Sequence, residues 1–480
     1  MLHPIYAKVD KNMTLRFSNT IGLLFFAGFL LSSPATAAPL CAKCNIVLIA
    51  IDALQARHIH HLGYKTETTP HLDLLAKRSF IFTQAISPSS WTVPTYLSLF
   101  TSMYPSAHGL TNRYEIYTKN DRRLYDFTKH NPEIQTLAQI LRDHGYSTAG
   151  FTGDAGVSSN LGYGKGFDIF FDSMPFGGFD LTTKNALDWI DLQKTKPFFA
   201  FVHGYDTHSQ FELPDNYQGK FFSSKEMAAH FVNKKKQMDL RDQNLKSGLK
   251  SKSHEISSEQ KKIWNAWYDS KIFDADARIG KFVQALAARV PGKNTVIVIV
   301  SDHGTEFFEH GTVDHGHSLY DELLHVPFMI ALPDKKAETR IMKQVGTIDL
   351  MPTILEVVGH NPSATLKKQI QGQSLVPSML GKPFAGEDVF SETDYRNHTH
   401  KRSLRTADGW KYILTLETGK EELYYLSQDP DERTNLATEN ATQLPKLRRQ
   451  LLKHISSMPA RGAQNSKDCL PAYPGPGECE

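Results

Sequence analysis

Cysteine is scarce in this chain: four in 480 residues, Cys41 and Cys44 near the start and Cys469 and Cys479 near the end. That excludes a small disulfide-stapled scaffold, and no second Cys-x-x-Cys or adjacent histidine cluster turns the first pair into a redox or metal motif. In an exported protein the even count predicts two disulfides, with three connectivities open. An excess of charge of one sign is also missing. Fifty-four Lys and Arg face 51 Asp and Glu, for a formal charge of +3. The basic residues form no stripe interleaved with aromatics, so a nucleic-acid partner is not expected. Long hydrophobic runs are lacking as well. The N-terminal run from Ile21 to Leu31 is too short for a comfortable membrane helix, and no stable membrane span is expected.

What is present is an ordinary globular composition, 40% hydrophobic and 11% aromatic, with length enough for one large single-core domain and a smaller one. Lys11 and Arg16 precede the apolar run, and Ala35-Thr36-Ala37 follows it. This pattern predicts a cleaved secretory signal over residues 1–37 and a periplasmic or secreted product. Met13 offers an alternative start. Pro39-Leu40 before Cys41 does not suit lipoprotein processing.

The stretches Asn45–Ile51 (NIVLIAI) and Thr295–Ser301 (TVIVIVS) are β-branched runs of the kind that form parallel strands buried on both faces, and each is followed by an Asp. Between them the spacing predicts a helix over Pro132–His144, a strand from Ser147, a helix over Thr182–Gln193 and a strand over Pro197–Gly204. Alternation of this kind predicts an α/β sandwich around a mainly parallel sheet, a domain covering residues 38–384. Residues 220–262 are Lys-rich and are expected to form a solvated helical excursion leading into a longer amphipathic helix. After Pro383 the pattern changes to antiparallel hairpins over Arg402–Ala407, Trp410–Leu416 and Glu422–Leu426, then a helix from about Leu444. This marks a small α+β domain over residues 385–480.

Ligands of open α/β sheets gather at the carboxyl ends of the strands, so Asp52 and Asp302-His303 are expected to converge at one edge. Two carboxylates and an imidazole make a divalent metal site; the plainer alternative is a capping Asp and a loop start. Thr92, in Trp91-Thr92-Val93-Pro94-Thr95-Tyr96, is expected just before a helix N-terminus, with Pro94 in the first turn. Free N–H groups and the positive dipole end favour an anion there. Without the Asp residues, Thr92 would be only a helix cap.

From about Asn45 to Ala437 the chain resembles the sulfatase family of the alkaline phosphatase superfamily. The resemblance rests on NIVLIAIDAL, TTPHLDLLAKRS, SPSSWTVPTYLSLFTSMYPSAHG, FVHGYDTHS, SDHGTEFFEHG, DHGHSLYDELLHVPFMIALP, GTIDLMPTILEVVG and ELYYLSQDPDERTNLA, in family order. It implies an alkaline-phosphatase-like three-layer sandwich with a small C-terminal domain, and an ester hydrolase. The departures carry information too. Where sulfatases have Cys-x-Pro-Ser-Arg or its Ser variant, whose first residue is oxidised to formylglycine, this chain has Thr92-Val93-Pro94-Thr95-Tyr96. Oxidising threonine would give a ketone, and the supporting Arg is Tyr96 here. Ala53 replaces the second Asp of an Asp-Asp pair, and the family's Asp-Asn appears as Asp302-His303.

These changes make the chain similar to superfamily branches with an unmodified Thr nucleophile, such as phosphoethanolamine transferases. That likeness implies a single divalent metal held by Asp52, Thr92, Asp302 and His303. The mixed oxygen and nitrogen set favours zinc or manganese over calcium. His208 matches the family's central histidine and is expected to protonate the leaving group or contact the oxyanion. His315 and His317 flank Gly316, where many sulfatases have Lys, and either is a candidate for that role. Also weighed are His310, Asp206 as a second-metal ligand with His208 and His315, and Asn112 as an anion contact. His58, His60 and His61 are expected to be non-functional. The expected substrate is a sulfate, phosphate or phosphonate ester, on a glycan or a lipid headgroup. A phosphoethanolamine-type transferase and a silent anion-binding protein are the alternatives.

Overall fold

The computed structural model describes residues 38–117, 121–209, 220–222, 257–290 and 294–458, with three isolated positions, 225, 235 and 239. The expected signal segment, most of the Lys-rich excursion and Cys469 and Cys479 lie outside the described residues. The described residues from Pro39 onward belong to one compact unit. Cys41 and Cys44 are disulfide-bonded to each other, which selects among the connectivities left open by spacing.

Eight strands form the central sheet: β1 (Asn45–Ile51), β2 (Ser79–Phe82), β3 (Ser147–Phe151), β4 (Ile169–Phe171), β5 (Phe198–Gly204), β6 (Thr295–Ser301), β7 (Phe328–Ala331) and β8 (Thr339–Ile341). Their spatial order is β8-β2-β7-β6-β1-β5-β3-β4. Only β7 runs against the others. Strand alternation sorts the side chains of β1 into two cores. Ile46, Leu48 and Ala50 join one apolar cluster, and Val47, Ile49 and Ile51 join the other. Both faces are therefore covered, which is why the strand reads as an unbroken apolar run.

On one face lie α1 (Thr92–Thr101) and α2 (Leu137–Asp143). On the other lie α3 (Phe179–Ile190) and the 32-residue α4 (Ser258–Arg289). α4 begins in a reciprocal capping box between Ser257 and Gln260. α2 starts later than its apolar spacing predicts, because the Thr136 side chain accepts the Gln139 N–H and caps the helix there. α3 starts earlier, after Gly178.

The C-terminal sheet is antiparallel: β9 (Val389–Thr393), β10 (Lys401–Arg405), β11 (Trp410–Thr415) and β12 (Lys420–Tyr425), in that order. Leu404, Tyr412, Leu414 and Leu423 pack on Leu447 and Leu451 of α5 (Gln443–Ser457). Val389, Ile413 and Tyr424 pack instead on Ile86, Leu319 and Leu324 of the large domain. None of the described helices is long and apolar enough to cross a membrane.

Candidate active site

β1 is central, paired in parallel with β5 on one side and β6 on the other. Ile51 is level with both Gly204 and Ser301. The next residue on each strand, Asp52, Tyr205 and Asp302, therefore leaves the sheet at the same height. Asp52, Asp302 and His303 are fully buried and offer ligand atoms within 4.8 Å of one another. The Ala53 N–H donates to Asp302 Oδ1 at 3.1 Å, across a turn in which Ala53 has φ 55°. His303 donates Nδ1–H to its neighbour's carbonyl, Gly304 O, at 2.6 Å. Nε2 is then the lone-pair nitrogen, lying 3.2 Å from Asp302 Oδ2 and 3.2 Å from Thr92 Oγ1.

Thr92 is the first residue of α1, one position further in than a cap, and its side chain makes no capping bond. Its hydroxyl faces His303 instead. Gly156 closes the other side: a Cβ there would stand 2.9 Å from Thr92 Cγ2. Asp52 Oδ1 and Asp302 Oδ2 have no hydrogen-bond partner although both are buried. Two orphaned carboxylate oxygens, an imidazole lone pair and a hydroxyl aimed at one point fit a divalent cation. Burial, and then the Asp302 carboxylate, push the Asp52 carboxyl well above its usual range, the response expected of paired carboxylates that a cation would relieve.

His208 and His315 meet with Nε2 atoms 3.0 Å apart, and His208 Nε2 is 3.7 Å from Asp52 Oδ1. His315 Nε2 also lies 3.1 Å from Asp314 Oδ1. Two imidazole nitrogens this close need a proton on one of them, so one ring donates to the other. The structure brings Asp52, Thr92, Asp302, His303, His208 and His315 together. It does not bring in His317, whose Nε2 is 2.8 Å from Glu306 Oε2 and also contacts Thr312. His310 pairs with Glu322 at 2.6 Å. Asp206 is engaged by Arg278 at 2.8 Å and by the Phe179 N–H at 2.8 Å, so its carboxylate is committed to structure rather than to a second metal. His58 pairs with Asp269, and His60 and His61 with Asp73.

Two participants escaped the sequence reading. His203 on β5 contacts Asp52 Oδ2 through Nε2 at 3.1 Å, and burial depresses it to about 3, keeping it neutral. Its position inside an apolar strand hid it. Asp314, beside His315, adopts φ 82°, a costly conformation for a residue with a side chain. The repeat of Asp-His-Gly, at 302–304 and again at 314–316, was the available signal for it.

Thr92, His208 and His315 line a cleft of about 270 Å³ together with Trp91, Phe176, Tyr205, Tyr395 and Asn112. The family model described as Sulfatase matches residues 44–360, and one described as N-sulphoglucosamine sulphohydrolase, C-terminal, matches residues 308–460. The chain belongs to the sulfatase family. A Delta 4,5-hexuronate-2-O-sulfatase of Bacteroides thetaiotaomicron is 25% identical over 455 residues, covering 86% of this chain and 87% of that one. Among solved structures, a sulfatase-family fold in complex with D-glucosamine-2-N,6-O-disulfate superposes with TM-score 0.64 at 19% identity, covering 86% and 98% of the two chains. The phosphonate monoester hydrolase of Agrobacterium radiobacter gives TM-score 0.63 at 19% identity, covering 87% and 96%. In this sulfatase-family ester hydrolase the Tyr96 ring is fully buried, edge-on to His203 at 4.9 Å.

Proposed function

We propose that this protein hydrolyses sulfate esters of an anionic saccharide through Thr92, without formylglycine, using one divalent metal at Asp52, Thr92, Asp302 and His303, and that it works after export to the periplasm or beyond. The observation that carries the reading is the uncapped Thr92 hydroxyl, 3.2 Å from His303 Nε2 above two orphaned carboxylate oxygens. The 2-O-sulfatase relative and the disulfated substrate of a related fold support sulfate as the ester.

A bound divalent ion would supply Lewis acidity, lowering the pKa of the Thr92 hydroxyl and drawing charge from the ester oxygens. The chain's own residues do the remaining work. Gly156 and the start of α1 hold Thr92 in line with the cleft, and the N-terminal end of that helix favours the ester's oxygens. His203 steadies Asp52 without bringing a charge. The proton held between His315 and His208 is placed at the cleft wall, to be given to the departing leaving-group oxygen.

A phosphate or phosphonate ester is the second reading. The unmodified threonine favours it, since such a hydroxyl is a common partner for phosphorus, and the likeness to a phosphonate monoester hydrolase fold is compatible with it. Turnover of matched aryl sulfate, phosphate monoester, phosphate diester and phosphonate ester, with zinc, manganese or calcium restored, decides between them. A metal-dependent preference for sulfate, abolished in Thr92→Ala, is the expected result. A preference for a phosphorus ester would move the assignment, and turnover surviving Thr92→Ala would overturn the nucleophile.

A further inference from the structure

The described lining of the cleft contains two arginines, Arg113 and Arg396, and not one Asp or Glu. One anion on a substrate is met deeper in, by Thr92, His208 and His315. The arginines stand farther out, and among the described residues neither is in an ion pair. Arg113 follows Asn112, and its Nε is buried with no hydrogen-bond partner. Arg396 lies in the link between β9 and β10, with its guanidinium 5.1 Å from the centre of the Tyr395 ring. The nearest acid in sequence, Asp394, is already taken by Arg402 at 2.7 Å and His400 at 3.1 Å. Arg396 also occupies the left-handed region, φ 51° and ψ 26°, at a cost that ordinary loops avoid. The two loops are tied together by the Asn112 side chain, which donates to Asp394 O at 3.2 Å.

Resting on the reading of the Thr92 cleft as the reaction centre, we infer that Arg113 and Arg396 form a second anion subsite, so that the preferred substrate is a saccharide carrying another sulfate or carboxylate beside the scissile ester. Guanidinium groups are suited to this task, since they bind carboxylate and sulfate through paired N–H donors and stay charged at all working pH values. Trp91 and Tyr395, stacked edge to face at 5.2 Å, give the sugar ring an apolar wall between the two anion positions.

The test compares kcat/KM for matched pairs: glucosamine-2-N,6-O-disulfate against N-acetylglucosamine 6-O-sulfate, and a 2-O-sulfated hexuronate against its methyl ester. The wild-type protein is expected to prefer the dianion of at least one pair by about tenfold or more. In Arg113→Gln and Arg396→Gln that ratio falls towards one, chiefly through KM, while Arg396→Lys retains part of it. The pair with the larger ratio identifies the second group as sulfate or carboxylate. A ratio near one in the wild type, or one unmoved by both substitutions, overturns the subsite. Calorimetric titration of the same saccharides into the Thr92→Ala protein separates this from the reaction itself. Dianion preference that vanishes on adding Arg113→Gln supports the subsite even where the wild type turns nothing over, and equal binding of both members of each pair refutes it.

Discussion

Two buried clusters of histidine and carboxylate follow the same strand, and they differ in what their oxygens do. Asp52, Asp302 and His303 sit at the end of β6 and β1; Glu306, His310, Glu322 and His317 lie a few residues further on. In the second cluster Glu306 accepts the N–H groups of His310 and Thr312 at 2.9 Å each, the Thr312 hydroxyl at 2.6 Å and His317 at 2.8 Å. In the first, two carboxylate oxygens are left without donors and a threonine hydroxyl points at them. The same residue types thus serve as glue in one place and as a receptive site in the other. Glu322 Oε2 in the second cluster is also without a partner, so what separates the two is Glu306, saturated by four donors, against Asp52 and Asp302, each with an open oxygen beside the Thr92 hydroxyl.

Breaking the first cluster should have the largest effect. Thr92→Ala is expected to lower turnover by at least ~10³-fold while melting as a folded protein does, checked by kinetics and calorimetry. Asp302→Asn should also strip the metal, read as a fall in bound zinc or manganese by elemental analysis after gel filtration. Glu306→Gln should do neither. Its expected cost is stability, about 3 kcal/mol, from breaking a buried pair. If Glu306→Gln released the metal, the contrast between the clusters would collapse.

How much of this was legible in the sequence follows from the same contrast. The strands β1, β5 and β6 announced themselves because burial on both faces demands apolar runs, and the Asp directly after β1 and β6 marked the edge where function collects. His317 was weighed as an equal of His315, since spacing along a loop says nothing about which way a side chain turns. Its partner Glu306 was invisible for the same reason. His203 was lost inside a strand whose apolar neighbours overwhelm a single imidazole. In the C-terminal sheet, β9 was missed because its sequence, VFSET, lacks a turn signal tying it to the hairpins it joins.

The pH response sharpens the comparison further. Burial alone would raise the Glu306 carboxyl, but the His317 hydrogen bond and charge outweigh it and hold it at about 2, below the usual 4.5. A carboxyl depressed on folding contributes stability that is complete above pH 4.5 and is lost as pH falls through about 2. Thermal melts at pH 5 and pH 3 should therefore show a drop in the wild type that is smaller in Glu306→Gln. Gly156→Ala is the subtler probe of the other cluster. The added methyl meets Thr92 Cγ2, so kcat should fall about tenfold to a hundredfold with metal content unchanged. His317→Gln should be the mildest, altering kcat/KM less than about threefold while lowering the melting temperature by a few degrees.

The level register of β1 with its two neighbours has a further meaning. Three chain segments, more than ninety residues apart in sequence, are brought flush by backbone pairing alone, before any side chain at the edge is chosen. The scaffold therefore works as a machinist's fixture: it sets coordinates, and the residues clamped into it can be exchanged. A side chain just past that edge can change with no hydrogen bond of the sheet disturbed, so new chemistry can be fitted to this frame one side chain at a time.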